Sequence, residues 1–224
     1  MGLMSRGVLV IWLMRGIGML LAIPLHESAH AWASAKLGDP TAKNMGRLTL
    51  NPLAHFDLMG ALCMMVAGVG WAKPVPVYPT RYKNPKVGMA LSAAAGPLSN
   101  FLAAYLFVVL DKLVYYFAPQ TMLWGVVELF LQVLVSLNLS LAIFNLLPVP
   151  PFDGSRIATL FLPSKWYFRV MQYERYLFIA MFVLLVMGVF DAPLAWMNQI
   201  ALNFLNLATG YVDQIYMASQ AVFT

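Results

Sequence analysis

Charge is scarce in this chain of 224 residues. Asp, Glu, Lys and Arg together make up 10% of it, whereas soluble domains carry about a quarter. Cysteine is all but missing: Cys63 stands alone, so no disulfide closes within the chain and a disulfide-stapled secreted module is excluded. Repeats, low-complexity stretches and long soluble inserts are also lacking. What fills the chain instead is apolar, at 61% hydrophobic residues with 15 Met, 14 Phe, 10 Tyr and 6 Trp and a mean hydropathy of +0.74. One domain core cannot hide that much apolar surface, so lipid is its solvent. A cytosolic enzyme, a nucleic-acid binder and a disordered tail are thereby excluded. The net charge of +5 reflects Lys and Arg kept in cytoplasmic loops rather than an acidic partner.

Five apolar segments follow one another. The first, Gly7 to Lys36, is too long for one straight crossing, and Pro24 marks a local bend. Its opening part, Gly7 to Leu25, is longer than a signal-peptide core, is interrupted by Arg15 and lacks a small-residue cleavage site, so it reads as a retained helix. The second segment, Phe56 to Gly70, is short and contains Gly60, Gly68 and Gly70. Gly88 to Leu110 and Thr121 to Leu147 are each long enough to cross, and Tyr176 to Phe190 nearly so. The tail from Ala192 to Ser219 carries a helical stripe at Met197, Ile200, Phe204, Ala208, Tyr211 and Ile215. It packs as a last membrane helix or lies at the interface.

Loop charges orient these segments. Lys36, Lys43 and Arg47 follow the first helix while Arg6 alone precedes it, which puts the amino terminus outside and residues 37–55 in the cytoplasm. Lys73, Arg81, Lys83 and Lys86 make the next loop basic as well. The short second segment therefore has two cytoplasmic ends and reads as a re-entrant hairpin, a form tolerated only inside protein or around a water-filled cavity. Eleven of the 14 basic residues, all but Arg6, Arg15 and Lys112, fall on the cytoplasmic side. The expected fold is an all-α polytopic membrane protein of about four to six transmembrane helices with a re-entrant or hairpin segment. It forms one membrane domain over residues 1–224, with a core at about 6–190 and a C-terminal membrane or interfacial helix at about 191–219.

The strongest local signal is HESAH at residues 26–30. Helical spacing puts His26 and His30 on one face, a turn apart, so both imidazoles can reach a single zinc ion. Glu27 beside them can serve as general base toward a zinc-bound water. A catalytic zinc needs a third protein ligand and one open position. His55, before the second segment, reads as a loop histidine bonded to backbone rather than as that ligand. Arg15 and Glu128, inside apolar segments, have no assigned role, and Asp111 with Lys112 reads as a solvated helix end.

Other motifs accompany HESAH in order: NPLAHFDLMG at 51–60, GWAKPVPV at 70–77, GPLSN at 96–100 and NLLPVPPFDG at 145–154. With them, residues 20–160 resemble the site-2 protease family of intramembrane zinc metalloproteases, in its small bacterial form without a PDZ insert. The resemblance implies that Asp153 is the third zinc ligand, with Gly154 permitting a tight turn and Pro148, Pro150 and Pro151 holding the approach extended. It implies one Zn2+ per chain, a bacterial cell-membrane location and hydrolysis of peptide bonds within or near transmembrane segments. Asn100 and Asn145 match asparagines of the family patterns. Each either donates to an oxyanion or substrate backbone, or hydrogen-bonds between helices. Gly96 and Pro97 allow close helix approach or a bend.

The histidines lie late in an outside-to-inside helix, which places the site toward the cytoplasmic side. A transmembrane substrate, protein or peptide, must be partly unwound to expose an amide, and Val75 and Val77 of the alternating 70–77 segment could pair with it as an added strand. The partners are this substrate, the lipid bilayer and a regulatory membrane protein, with no nucleic acid among them. The rival readings are a metal-ion transporter using the same His/Asp cluster, another membrane zincin of the prenyl-protein-peptidase type, and an inactive scaffold. Paired repeats or matched broken helices, which a transporter would show, are not found. The prenyl-type reading gives no reason for NLLPVPPFDG, and no ligand is missing to support the scaffold.

Overall fold

The computed structural model describes residues 6–60, 63, 71–161 and 172–221, and among these every regular element is helical. Helix α1 (Arg6–Leu37) runs unbroken through Pro24 for 32 residues, about 48 Å at the usual helical rise. Two short helices follow, α2 (Thr41–Asn44) and α3 (Pro52–His55). An extended stretch over residues 71–78 then leads to α4 (Pro85–Phe117). Asn84 caps α4 by accepting from the Val87 N–H, and Pro85 at the first turn needs no donor. Helix α5 (Met122–Asn145) returns, and the one-and-a-half-turn α6 (Asp153–Ala158) closes the first half of the fold.

Helices α1, α4 and α5 pack on one another. The inward face of α4 is built of Gly88, Ala90, Ser92, Ala93, Gly96, Asn100, Ala103 and Ala104. Small residues let backbones approach closely where lipid removes the hydrophobic drive for association. The opposite face presents Leu91, Leu98, Leu102, Leu106, Leu110 and Leu113, all exposed. In water that stripe would be a liability; against acyl chains it is solvated.

Helix α7 (Glu174–Val186) meets α8 (Asp191–Ala208) at a bend of 84°. The break is a Schellman turn: Gly188, at φ +72°, donates to Leu185 O, and Val189 donates to Leu184 O. Helix α9 (Gly210–Ala221) folds back on the end of α4. There Asp213 accepts from Lys112 at 2.7 Å and from Tyr116 at 3.0 Å, and the Tyr116 and Tyr216 rings stack. Lys112 is thus an anchoring residue, not a solvated helix end.

Three described helices are long and apolar enough to cross a membrane: Gly7–Leu37, Pro85–Phe117 and Met122–Asn145. Counting the bent α7–α8 pair as one span makes four, below most of the expected range of four to six. The expected re-entrant hairpin at 56–70 lies largely outside the described residues. The tail does join the bundle, since Leu205 of α8 is buried with Ala104, Val108, Val135, Leu139 and Ile143, flanked by Leu194, Met197, Ala201 and Leu202. Its packing face therefore only partly follows the stripe chosen by bulk: Met197 packs beside Leu205, the Phe204 ring lies 6.2 Å from that of Phe101 and Tyr211 OH is 3.3 Å from Tyr105 OH, whereas Ile200 and Ile215 are exposed. In a bilayer large residues are at home on the lipid side, so size alone does not reveal the inward face.

Candidate metal centre

The C-terminal half of α1 brings His26 and His30 to the α1–α4 interface, where they are 4% and 8% exposed. Asp153, the first residue of α6, reaches them from the far end of the fold. Its Oδ2 lies 3.1 Å from His26 Nε2 and 3.2 Å from His30 Nε2, while the two Nε2 atoms are 3.0 Å apart. This near-equilateral triangle approaches the edge of about 3.3 Å expected between ligands of a tetrahedral zinc with bonds near 2.05 Å. Gly154 makes the reach possible by close packing rather than by a turn. A Cβ there would fall 2.1 Å from Leu146 O, so the loop from α5 lies directly on its backbone.

The protons on the two rings decide what the triangle can hold. His30 Nδ1–H donates to the Ser92 carbonyl at 2.8 Å. His26 Nδ1 lies 2.6 Å from Asn100 Oδ1. The Asn100 amide is oriented by its nitrogen, which donates to Ala22 O at 3.2 Å and to Asn138 Oδ1 at 2.8 Å. Both imidazoles therefore carry a proton on Nδ1, which leaves the Nε2 atoms, facing each other and a carboxylate, as the positions able to ligate. Two imidazole nitrogens and a carboxylate oxygen at about 3 Å from one another repel unless a proton or a metal ion sits among them. The donor set, two imidazoles and one carboxylate with backbone and amide support behind them, suits zinc.

Helix α4 supplies the second layer at a spacing of four. Ser92 receives His30, Asn100 receives His26, and Gly96 between them leaves room for both rings. A Cβ on Gly96 would lie 2.3 Å from His30 Nε2 and 2.7 Å from His26 Cε1. Because α4 runs antiparallel to α1, its ladder of 92, 96 and 100 meets 30 and 26 in reverse order. Sequence reasoning missed Ser92, since the contact uses a main-chain carbonyl. The repeated interval Ser-x3-Gly-x3-Asn was the available signal.

Glu27 is half-buried beside His26 and makes no hydrogen bond or ion pair among the described residues. The Asn100 amide is spent entirely within the protein and is fully buried, so it has no group left for a substrate. Asn145, the last residue of α5, is half-buried and donates to Leu141 O at 2.9 Å, outside the ligand group. His55 lies apart from the metal-binding group, and its Nε2–H donates to Thr49 O at 2.9 Å.

Thr49 O also accepts from Ser28 Oγ at 2.5 Å, pinning the loop to the α1 turn between the two histidines. From that loop the buried Arg47 holds the carbonyls of Ala54, Lys73 and Pro74. Asp39 fixes the other end of the extended segment by accepting from Tyr78 N at 2.7 Å, and it also accepts from Thr41 and Arg81. Half-buried Val75 and Val77 lie between these clamps, and among the described residues their backbones make no hydrogen bonds.

Burial pushes the Asp39 carboxyl up, but the Thr41 side chain, the Tyr78 and Thr41 N–H groups and Arg81 outweigh it and hold the group below its ordinary value. Its stabilising contribution is therefore present above that ordinary value of 3.8 and is lost as pH falls through the lower folded value. Asp39→Asn is expected to cost about 1–3 kcal/mol at pH 7, from weakened charge-assisted bonds. Thermal unfolding in detergent checks this: the difference from wild type should shrink below pH 3.8. A difference that grows on acidification would contradict the assignment.

A helical membrane bundle that converges two histidines and a distant aspartate on one point is, by class, a membrane metalloprotein. The comparisons with known proteins narrow this. The model of peptidase family M50 matches residues 110–190, which include Asp153. The protein YwhC of Bacillus subtilis, provisionally named a zinc metalloprotease, is 40% identical over 172 residues, covering 76% of this chain and 78% of that protein. Rip2 of Mycolicibacterium smegmatis, named in the same way, is 31% identical over 61% of this chain and 52% of its own length. The chain belongs to peptidase family M50, the site-2-protease-like zinc metalloproteases. No solved structure gives a significant match.

Proposed function

We propose that this protein is an intramembrane zinc endopeptidase that hydrolyses peptide bonds within or near transmembrane segments of membrane proteins, acting from the cytoplasmic side of a bacterial cell membrane. The observation that carries the reading is the convergence of three potential ligand atoms, His26 Nε2, His30 Nε2 and Asp153 Oδ2, in a site buried between apolar helices, with both Nδ1 atoms engaged elsewhere. These residues would hold one zinc ion, which when bound supplies Lewis acidity and a water acidified to a pKa of about 7.

The protein's own groups perform the rest. Glu27, adjacent to the ligands and without a partner among the described residues, takes a proton from the attacking water and returns it to the leaving amine. Ser92 and Asn100 keep the imidazoles oriented while charge develops. Asn145, the last residue of α5, keeps its Oδ1 and one amide proton beyond the bond to Leu141 O, and these are the groups it would offer a substrate backbone.

A transmembrane helix hides its amides in its own hydrogen bonds, so the substrate reaches the site partly unwound. The extended segment held between Arg47 and Asp39 supports pairing with such a chain, because its ends are fixed and, among the described residues, the N–H and C=O groups of Val75 and Val77 are unspent. Replacing both valines with proline is expected to remove those donors and slow cleavage of a helical substrate by about tenfold or more, for two bonds each worth about 0.5–1.5 kcal/mol. Unchanged turnover would rule out strand pairing there.

The reading as a whole is tested on purified protein in detergent. One zinc per chain and cutting of single-span membrane proteins inside or beside the span are expected. Zinc bound without any such cutting would favour transport through the same cluster.

A further inference from the structure

Behind the ligand His26 stands a second asparagine to which no role in the site has been given. Asn138, in the middle of α5, is 1% exposed, and Asn100 between it and His26 is 0% exposed. The chain of bonds crosses three helices. Asn138 Nδ2 donates to Leu134 O in its own helix at 2.9 Å, which turns its Oδ1 toward α4. That oxygen accepts from Asn100 Nδ2 at 2.8 Å, and Asn100 Oδ1 in turn faces His26 Nδ1 at 2.6 Å.

An asparagine side chain is nearly symmetric in shape, so its two orientations differ only in which neighbours accept and which donate. If the Asn100 amide were reversed, its nitrogen would face His26 Nδ1. The imidazole proton would then move to Nε2, and the ring would no longer be a ligand. Two acceptors oppose that reversal, Ala22 O at 3.2 Å and Asn138 Oδ1 at 2.8 Å. The Asn138 bond is the shorter. It is also anchored independently of α1, so it holds even when the catalytic helix shifts. With both amides buried, no water can replace a lost partner.

We propose that Asn138 is a positioning residue: acting through Asn100, it selects the His26 tautomer that leaves Nε2 free for the metal. The proposal rests on the metal-centre reading, yet the tautomer can be read without metal. The alternative is an interhelical glue residue, which would affect stability but neither the ring proton nor metal affinity.

The experiment uses the full-length, metal-free protein in detergent with 15N-labelled histidine. Three histidines keep the spectrum simple, and His26→Asn assigns the signal. Wild type is expected to show the His26 proton on Nδ1. In Asn138→Leu a population protonated on Nε2 should appear, and zinc affinity measured against a competing chelator should fall about 10- to 100-fold. Should Asn138→Leu not fold, Asn138→Ala carries the same two readouts.

Asn138→Asp serves as the rescue. Buried as a neutral acid, the new side chain both accepts and donates as the amide does, and it should restore the wild-type tautomer and affinity. A wild-type His26 proton on Nε2, or Asn138→Leu with unaltered tautomer and affinity, would overturn the proposal. A tautomer shift in a protein that binds no zinc would support it while overturning the metal-centre reading.

Discussion

Glu27→Gln is expected to reduce peptide-bond hydrolysis by about 100- to 10,000-fold, the usual contribution of a positioned general base, while zinc content stays at the wild-type level. The two outcomes separate because Glu27 is not in the ligand triangle: the metal-binding group is His26, His30 and Asp153. The glutamine is close in size, so packing beside His26 is preserved and only the capacity to accept a proton is lost. The same variant distinguishes the protease from a transporter. Moving an ion requires the ligands but no base, so a transport site would keep its activity in Glu27→Gln. Retained hydrolysis would show that another group takes the proton and would end the role given to this residue.

Gly96→Ala is expected to weaken zinc binding by about 10- to 1,000-fold, from a single added methyl. Its Cβ would fall inside the space of His30 Nε2 at 2.3 Å and His26 Cε1 at 2.7 Å. Neither ring can swing away cheaply, since each is held at its other nitrogen, by the Ser92 carbonyl and by Asn100. Relief must come from parting α1 and α4 or from breaking one of those bonds. Overpacking costs about 1–3 kcal/mol and a broken bond about 0.5–1.5 kcal/mol more, and each 1.4 kcal/mol is about tenfold in affinity. Chelator competition reads the loss, and thermal unfolding of the metal-free protein shows whether the bundle itself survives. Normal zinc affinity in this variant would mean that the imidazoles do not sit against Gly96.

How far these features could be read from the residues depends on what kind of atom each contact uses. HESAH announces itself because both ligands are side chains one turn apart on a single helix. Asp153 lies 127 positions from His26, and no local pattern joins them; the family resemblance pointed to it. Asn100 was noticed, but its two open readings were separable only once the antiparallel meeting of α1 and α4 set it against His26. Ser92 acts through a backbone oxygen that every residue possesses, so its type carried no signal. The membrane helices α4 and α5 were legible from length and apolarity. The facing of α8 was only partly legible, because a bilayer accepts bulk on the side away from the protein as well as on the side toward it. The break between α7 and α8 has a local cause in Gly188 and falls close to the boundary drawn between the segment ending at Phe190 and the tail beginning at Ala192.

The pairing of α1 with α4 has a consequence for how the protein can move. Two hydrogen bonds and a steric gap, at intervals of one turn, index these helices like the teeth of a rack. A slip of one turn, about 5.4 Å, would bring Asn100 opposite the wrong imidazole and drive a side chain into the place reserved for none. Sliding is therefore all-or-nothing, and the pair behaves as a stiff spine. Whatever rearrangement admits a bulky chain must be taken up by elements hinged to that spine rather than by the spine itself.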